Sequence, residues 1–228
     1  MAHARTAHAR TRRRPDTVAA TRSERKQRTR EALIDAAFRL LEQESFSSLS
    51  LREVAREAGI VPTGFYRHFE NMHGLGLALV DRSFRSLRDM LRDARATADG
   101  HEHMVRRSIA ILVADVHEHR AHFRFIARER CGGVASLRHA IRSQIRLLAS
   151  ELATDLARLP ALASWSTDDL HMLAAMLVDV GVSAADALVD LGPGEEEAER
   201  EIASVAERQL RLVTLGAAAW LSGGGAIG

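Results

Sequence analysis

From about residue 23 to residue 222 the apolar positions recur with helical spacing, and no stretch alternates convincingly with period two. Leu33, Ala36, Ala37, Leu40 and Leu41 share one face of a helix running from about Ser23 to Glu44. Ser50 to Ala58 reads as a short second helix. Ser50 and Glu53 spell a capping box, Leu51, Val54, Ala55 and Ala58 face inward, and Gly59 suits a left-handed stop. Pro62 opens a third helix at a first-turn position where its missing N–H is harmless, and that helix ends near Phe69. After His73 to Gly76 a long helix carries Leu77, Val80, Phe84, Leu87 and Leu91, and the next carries Val105, Ile109, Leu112 and Val116. A shorter helix surrounds Phe123 to Arg128. Leu137 to Leu156 forms a seventh that stops before Pro160, Leu170 to Leu188 an eighth, and Ile202 to Trp220 a ninth. The pattern predicts an all-α protein of nine helices: a basic arm at 1–22, a three-helix unit at 23–72, a six-helix unit at 73–222 and a flexible tail at 223–228.

The informative unit is the second helix, the Gly59-Ile60-Val61-Pro62 turn and the third helix, together a helix-turn-helix whose second helix fits the DNA major groove. Phe65 and Phe69 lie four apart and can face the core, which leaves Thr63, Tyr66, Arg67 and His68 outward as donors for phosphates and base edges. Gly64 costs about 0.8–1 kcal/mol relative to Ala inside a helix unless a close approach is needed, and a DNA backbone is one such approach. Each side chain also has a plainer role: Tyr66 can pack its ring inward, Arg67 can be a solvated surface residue, and His68 can cap its helix. Arg52 either reaches the DNA or pairs with Glu53.

Charge sharpens this picture. The chain of 228 residues has 32 Lys and Arg against 30 Asp and Glu, yet residues 1–30 hold ten basic and two acidic residues, a net of +8. Residues 31–70 and 71–228 each sum to −3. Non-specific attraction to a polyanion therefore belongs to the arm and the start of the first helix. The single Cys131 excludes an internal disulfide framework and fits a reducing compartment, and Arg128 and Arg130 are the only nearby groups that favour its thiolate. The longest strongly apolar run, Ile109 to Ala114, is far short of the ~20 residues of a membrane helix, so no membrane association is expected.

The run from Ser48 to Ile60, continued by Pro62-Thr63 and Phe65 to Phe69, resembles the DNA-binding domain of the TetR family, and more narrowly the FabR and DesT type of repressors of unsaturated fatty acid synthesis. Leu75-Gly76-Leu77, Val80-Asp81, Phe123-Arg124 and Arg128-Glu129-Arg130 extend the likeness into the six-helix unit. The resemblance implies a homodimer with a four-helix interface from the last two helices, bound to a double-stranded DNA operator and answering to a small ligand held in the C-terminal unit. It puts Thr63, Gly64, Tyr66, Arg67 and His68 on recognition-helix positions and Arg52 on the supporting helix. Two positions depart from the family pattern: Met72 stands where many members have a phosphate-binding Lys, and Val61 where a Ser or Thr usually caps the recognition helix. The expected product is a cytoplasmic repressor, on the nucleoid when bound to DNA, that controls lipid genes in response to long-chain acyl-CoA. The other regulator reading is a repressor of efflux or detoxification that answers to a drug-like apolar molecule.

For the effector, Met104, Ile111, Phe123, Phe125, Trp165, Met172 and Met176 are candidates to line an apolar cavity between helices, with Arg124, Arg128 or Arg130 for the phosphates of an acyl thioester. Ordinary core packing is the competing role for each. His117, His119 and His122 lack the Cys partners or His-Glu-x-x-His pattern of a metal site, so no metal and no resident cofactor are expected. No phosphate-cradling glycine loop or activated nucleophile is present, which argues against an enzyme. Arg82, Arg85, Arg88, Arg92 and Arg95, interleaved with Asp81, Asp89 and Asp93, read as a solvated helix face. Gly181, Ala184, Ala185, Gly216 and Ala217 allow helices to approach closely, within one subunit or across a dimer.

Overall fold

The computed structural model describes residues 21–95 and 101–220, without the side chains of 86, 89–95, 101–104 and 218. Among the described residues there are nine α-helices, one 3₁₀ turn at Pro160–Leu162 and no strand. The helices are α1 (Arg22–Leu41), α2 (Leu51–Glu57), α3 (Pro62–Phe65), α4 (Met72–Arg95), α5 (His101–Glu118), α6 (Arg120–Arg130), α7 (Ala135–Leu156), α8 (Thr167–Asp190) and α9 (Glu196–Ala219). Residues 1–20 of the expected arm and the expected tail at 223–228 lie outside the described residues.

Local chemistry explains the ends. Thr21 and Glu24 form a capping box, so α1 starts at Arg22, and it stops at Leu41 rather than near Glu44. The Ser50–Glu53 box caps α2 as the sequence predicts, with Glu53 accepting the Ser50 N–H at 2.8 Å. Gly59 has φ +68°, the left-handed geometry that stops α2 and turns the chain toward α3. Helix α3 is a single α-turn, shorter than expected. Tyr66 to His68 continue it in tighter turns, with the Arg67 N–H on the Gly64 carbonyl at 3.2 Å and the His68 N–H on Phe65 at 2.9 Å. Helix α4 begins at Met72, before rather than after Gly76.

One apolar core crosses the join between the N-terminal helices and the rest. Leu33, Phe38, Phe46, Val54 and Phe65 pack with Leu79, Phe125, Leu137 and Ile141, so α1–α3 rest on α4, α6 and α7. Each such side chain stabilises the fold by about 1.5–3 kcal/mol through removal from water. A second core joins α5, α8 and α9 through Ile109, Val116, Leu188, Val189, Ala206 and Leu210. A third, smaller one sets Trp165 against Ala153, Leu170 and Ala174.

Two expectations change. Arg82 and Arg88 are not part of a freely solvated face: Arg82 pairs with Glu31 of α1 at 2.7 Å, and Arg88 reaches Gln144 and Glu151 of α7. Arg85 does make the expected i,i+4 pair with Asp81, while the side chains of Arg92 and Arg95 lie outside the described residues. Helix α8 is long and apolar enough to cross a membrane, a property that the length of uninterrupted apolar runs understated. In this fold it packs between α7 and α9. Met172 and Met176 on α8, with Leu212 and Leu215 on α9 and Trp220 just beyond it, remain exposed.

Candidate nucleic-acid interface

The recognition segment projects polar side chains from a buried base. Phe65 is fully buried and Phe69 nearly so, and this pins the segment with Thr63, Tyr66 and Arg67 outward. Tyr66 is 62% exposed, its ring edge-on to Phe65 at 6.0 Å, so the phenol is presented rather than packed inward. The side chains of Arg52, Thr63, Tyr66 and Arg67 make no hydrogen bond or ion pair among the described residues. Arg52 does not pair with Glu53, whose carboxylate is held by Ser50. Gly64 has a reason inside the fold: a Cβ there would meet Ile60 Cγ2 at 2.7 Å, so the turn itself demands glycine. Val61 at the N-cap makes no side-chain hydrogen bond, and Met72 packs on the core, so both departures remove a polar contact.

Helix α1 brings cations to this segment. Arg30 lies over the Phe69 ring at 4.9 Å, a cation–π contact, and Lys26 is on the same helix one turn earlier. Burial pushes the His68 imidazole below its ordinary range, and Lys26, Arg30 and Arg67 push it further. The Nδ1 atom of His68 is buried without a partner among the described residues. Four cationic or cation-capable groups from two helices thus share one field beside the exposed Tyr66 hydroxyl, a surface suited to phosphate. The charge bias of the first helix signalled Lys26 and Arg30 only in aggregate; no motif pointed to them individually.

The expected effector residues are not gathered at one place. Phe125 is fully buried between Phe38 and Phe46, at ring-centroid distances of 6.0 and 6.3 Å, where it fixes α6 to α1. Arg128 is likewise committed there: it donates to the carbonyls of Leu41 and Glu44 at 3.3 and 3.5 Å. Phe123 packs on the second core and Trp165 on the third. Ile111 is half-buried on α5, Met172 and Met176 face outward, and the Met104 side chain lies outside the described residues. Arg130 pairs with Asp186 of α8. Arg124 lines a surface cleft of about 600 Å³ with His117, Arg120, Asp190, Glu195, Glu196 and Glu199. In that cleft His117 meets Glu199 at 2.7 Å, and Arg120 donates to the Val189 and Leu191 carbonyls.

The joint beneath the recognition unit contains residues that the apolar pattern did not single out. Glu129, buried on α6, accepts the backbone N–H of Phe46 at 3.0 Å. The His122 ring stacks on Phe38 of α1 with centroids 4.1 Å apart. A carboxylate at 3% exposure has no signature in a sequence, since its partner is a backbone group 83 residues away.

Comparison with known proteins agrees with this fold. The family profile for bacterial regulatory proteins of the tetR family matches residues 33–79, and that for the tetracyclin repressor-like C-terminal domain matches residues 101–218. Among solved structures, FadR from Bacillus subtilis in complex with stearoyl-CoA is similar at 14% identity and TM-score 0.63, covering 82% of this chain and 98% of its own. FadR from Thermus thermophilus in complex with lauroyl-CoA is similar at 20% identity and TM-score 0.59, covering 87% and 99%. A TetR-like transcriptional regulator from Rhodococcus sp. RHA1 is similar at 20% identity and TM-score 0.58, covering 85% and 99%. At these identities the likeness is one of fold.

Proposed function

The chain belongs to the tetR family of bacterial regulatory proteins, and on that premise we propose that it is a ligand-responsive repressor binding a pseudo-palindromic operator as a homodimer. The observation that carries the reading is the recognition segment: exposed, uncommitted Thr63, Tyr66 and Arg67 beside the cations of α1. Arg67 reads a guanine in bidentate geometry, while Tyr66, Thr63, His68 and Arg52 meet phosphates. The exposed apolar residues of α8 and α9 supply the face for a second copy, and Gly181 and Gly216, with nothing packed over them in one chain, suit close approach there. Two recognition helices then lie about one DNA turn, ~34 Å, or slightly more apart.

In this reading the effector is long-chain acyl-CoA and the targets are lipid-metabolism genes, in the manner of the FabR and DesT type. The acyl-CoA complexes of two structurally similar regulators support it. A second reading, a drug-like or other small apolar effector controlling efflux or detoxification, is favoured by the arginines. Arg128 and Arg130 are committed, and the cleft around Arg124 is also lined by Asp190, Glu195, Glu196 and Glu199, which disfavours CoA phosphates. Effector binding acts by favouring one separation of the recognition helices. Selection of bound duplexes from a random pool, followed by titration of the recovered operator complex with lauroyl-CoA, tests both parts. No enriched palindrome would overturn the repressor, and no response to acyl-CoA of any chain length would overturn the lipid assignment alone.

A further inference from the structure

Two buried polar atoms at the α5–α6 junction have no partner among the described residues: Asp115 Oδ2 and His122 Nδ1. They belong to one cluster. His119 Nδ1–H donates to the other Asp115 oxygen at 2.9 Å, and the rings of His119 and His122 lie 5.6 Å apart. Asp115 is 7% exposed, so its second oxygen is withdrawn from bulk solvent and no protein donor among the described residues meets it. Buried acceptors are almost always paired, so this one points to a donor from outside the chain. A third orphan, Ser83 Oγ, sits on α4, the helix packed against both α5 and α6, next to the Arg82 whose charge is felt at His122.

Building on the reading that the chain is a ligand-responsive regulator, we infer that Asp115 and His122 form the polar end of its effector site, which takes a hydroxyl or primary amine on an apolar body. The ligand must donate to Asp115 Oδ2, because an ionised carboxylate only accepts. Neutral His122, the form that burial favours, meets the same group at Nδ1, accepting a second N–H of an amine or, as the Nδ1–H tautomer, donating to a hydroxyl oxygen. A ligand carboxylate is excluded at this point, since it would face both Asp115 and the nearby Glu118. Occupancy is felt in the DNA-binding unit at once, because the His122 ring that meets the ligand is the one stacked on Phe38 of α1.

The test uses the full chain with three probes of equal chain length: 1-decanol, decylamine and decanoate. Decanol and decylamine at saturation should raise the melting temperature by about 2–4 °C, and decanoate should not. Asp115→Asn, isosteric but neutral, should weaken decylamine at least about tenfold; His122→Phe should weaken both probes and carries the comparison if the first variant fails to fold. Equal shifts from all three probes, shifts unchanged in both variants, or no shift from any probe would overturn the site; the last would mean that resident water alone satisfies the two atoms. The regulator reading is scored separately by titrating the operator complex with lauroyl-CoA. A response to lauroyl-CoA that both variants retain, with no Asp115-dependent probe binding, removes the site and keeps the reading. Asp115-dependent binding of decylamine without any response to lauroyl-CoA keeps the site and removes the acyl-CoA assignment.

Discussion

The recognition face around Arg67 and the joint between α1 and α6 are built on opposite terms. On the face, Arg52, Thr63, Tyr66 and Arg67 point to solvent with their donors uncommitted, above the fully buried Phe65. At the joint the polar groups other than His122 Nδ1 are held: Glu129 takes the Phe46 N–H, Arg128 the carbonyls of Leu41 at the end of α1 and of Glu44 just past it, while Phe38 is stacked by His122 and met edge-on by Phe125. A surface that must bind a partner keeps its donors free, because an internal acceptor would compete with that partner. A joint that fixes the angle between two helices must satisfy its polar groups in place, since each one left unpaired in the interior costs free energy. Mutations in the two regions should therefore separate stability from sequence reading.

The largest effect is expected from Phe38→Ala. It empties a site enclosed by His122 and Phe125, so urea denaturation should show a loss of about 3–5 kcal/mol, with operator affinity falling alike on all sequences. A loss below about 1 kcal/mol would show a joint that collapses readily and would end the contrast with the face. Glu129→Ala comes next, at about 1.5–3 kcal/mol, because the Phe46 N–H stays buried without its charged acceptor. Glu129→Gln keeps a carbonyl in place and should recover much of that loss. Equal destabilisation by the two variants would mean that the carboxylate charge, not the hydrogen bond, matters there.

On the face the expectation is reversed. Arg67→Ala should leave stability within about 0.5 kcal/mol of the parent and cost ~1–3 kcal/mol of discrimination at one operator position. Uniform loss over all sequences would make Arg67 a phosphate contact instead of a base reader. Such a result would sharpen the comparison rather than erase it, because the joint variants would still be told apart by their melting.

The difference between the two regions also explains what could be read from the chain before its structure. The capping box at Ser50, the Gly59 stop, Pro62 and the Phe65/Phe69 pair are local signals, each decided within a few residues, and they placed the recognition segment with its outward side chains. The joint is non-local. Phe38 lies on the buried side of α1, but nothing near it announces a histidine 84 positions later as its partner. Glu129 looks like a surface residue between two arginines until the fold brings the Phe46 amide to it. The expected effector residues suffered from the same limit: Met and aromatic positions mark apolar surface, yet only tertiary packing decides whether that surface faces core, cavity or, as at Met172 and Met176, solvent.

The smallest effect near neutral pH, and the one that probes the joint without emptying it, is proton linkage at His122. Burial above all, helped by the charges of His119 and Arg82, holds its imidazole at about 4, against an ordinary value of 6.5. Between those values the unfolded chain takes up a proton that the native joint refuses, so stability is lost as pH falls from about 6.5 to about 4 and is unaffected above. Asp115 works in the other direction: burial raises its carboxyl, so toward the acid end the native state takes its proton before the unfolded chain does and gains relative stability. His122→Phe keeps an aromatic ring on Phe38 and removes the titration, and urea midpoints measured from pH 7.5 to 4.5 should then fall less steeply than in the parent. The slope that remains belongs in part to His68 on the recognition face, whose pKa is lowered in the same sense by burial and by Lys26, Arg30 and Arg67. Operator DNA should abolish the His68 part of it, because phosphate beside His68 favours its charged form, while the His122 contribution persists in the complex. If DNA instead removed the whole slope in the parent, the joint and the face would be a single electrostatic unit.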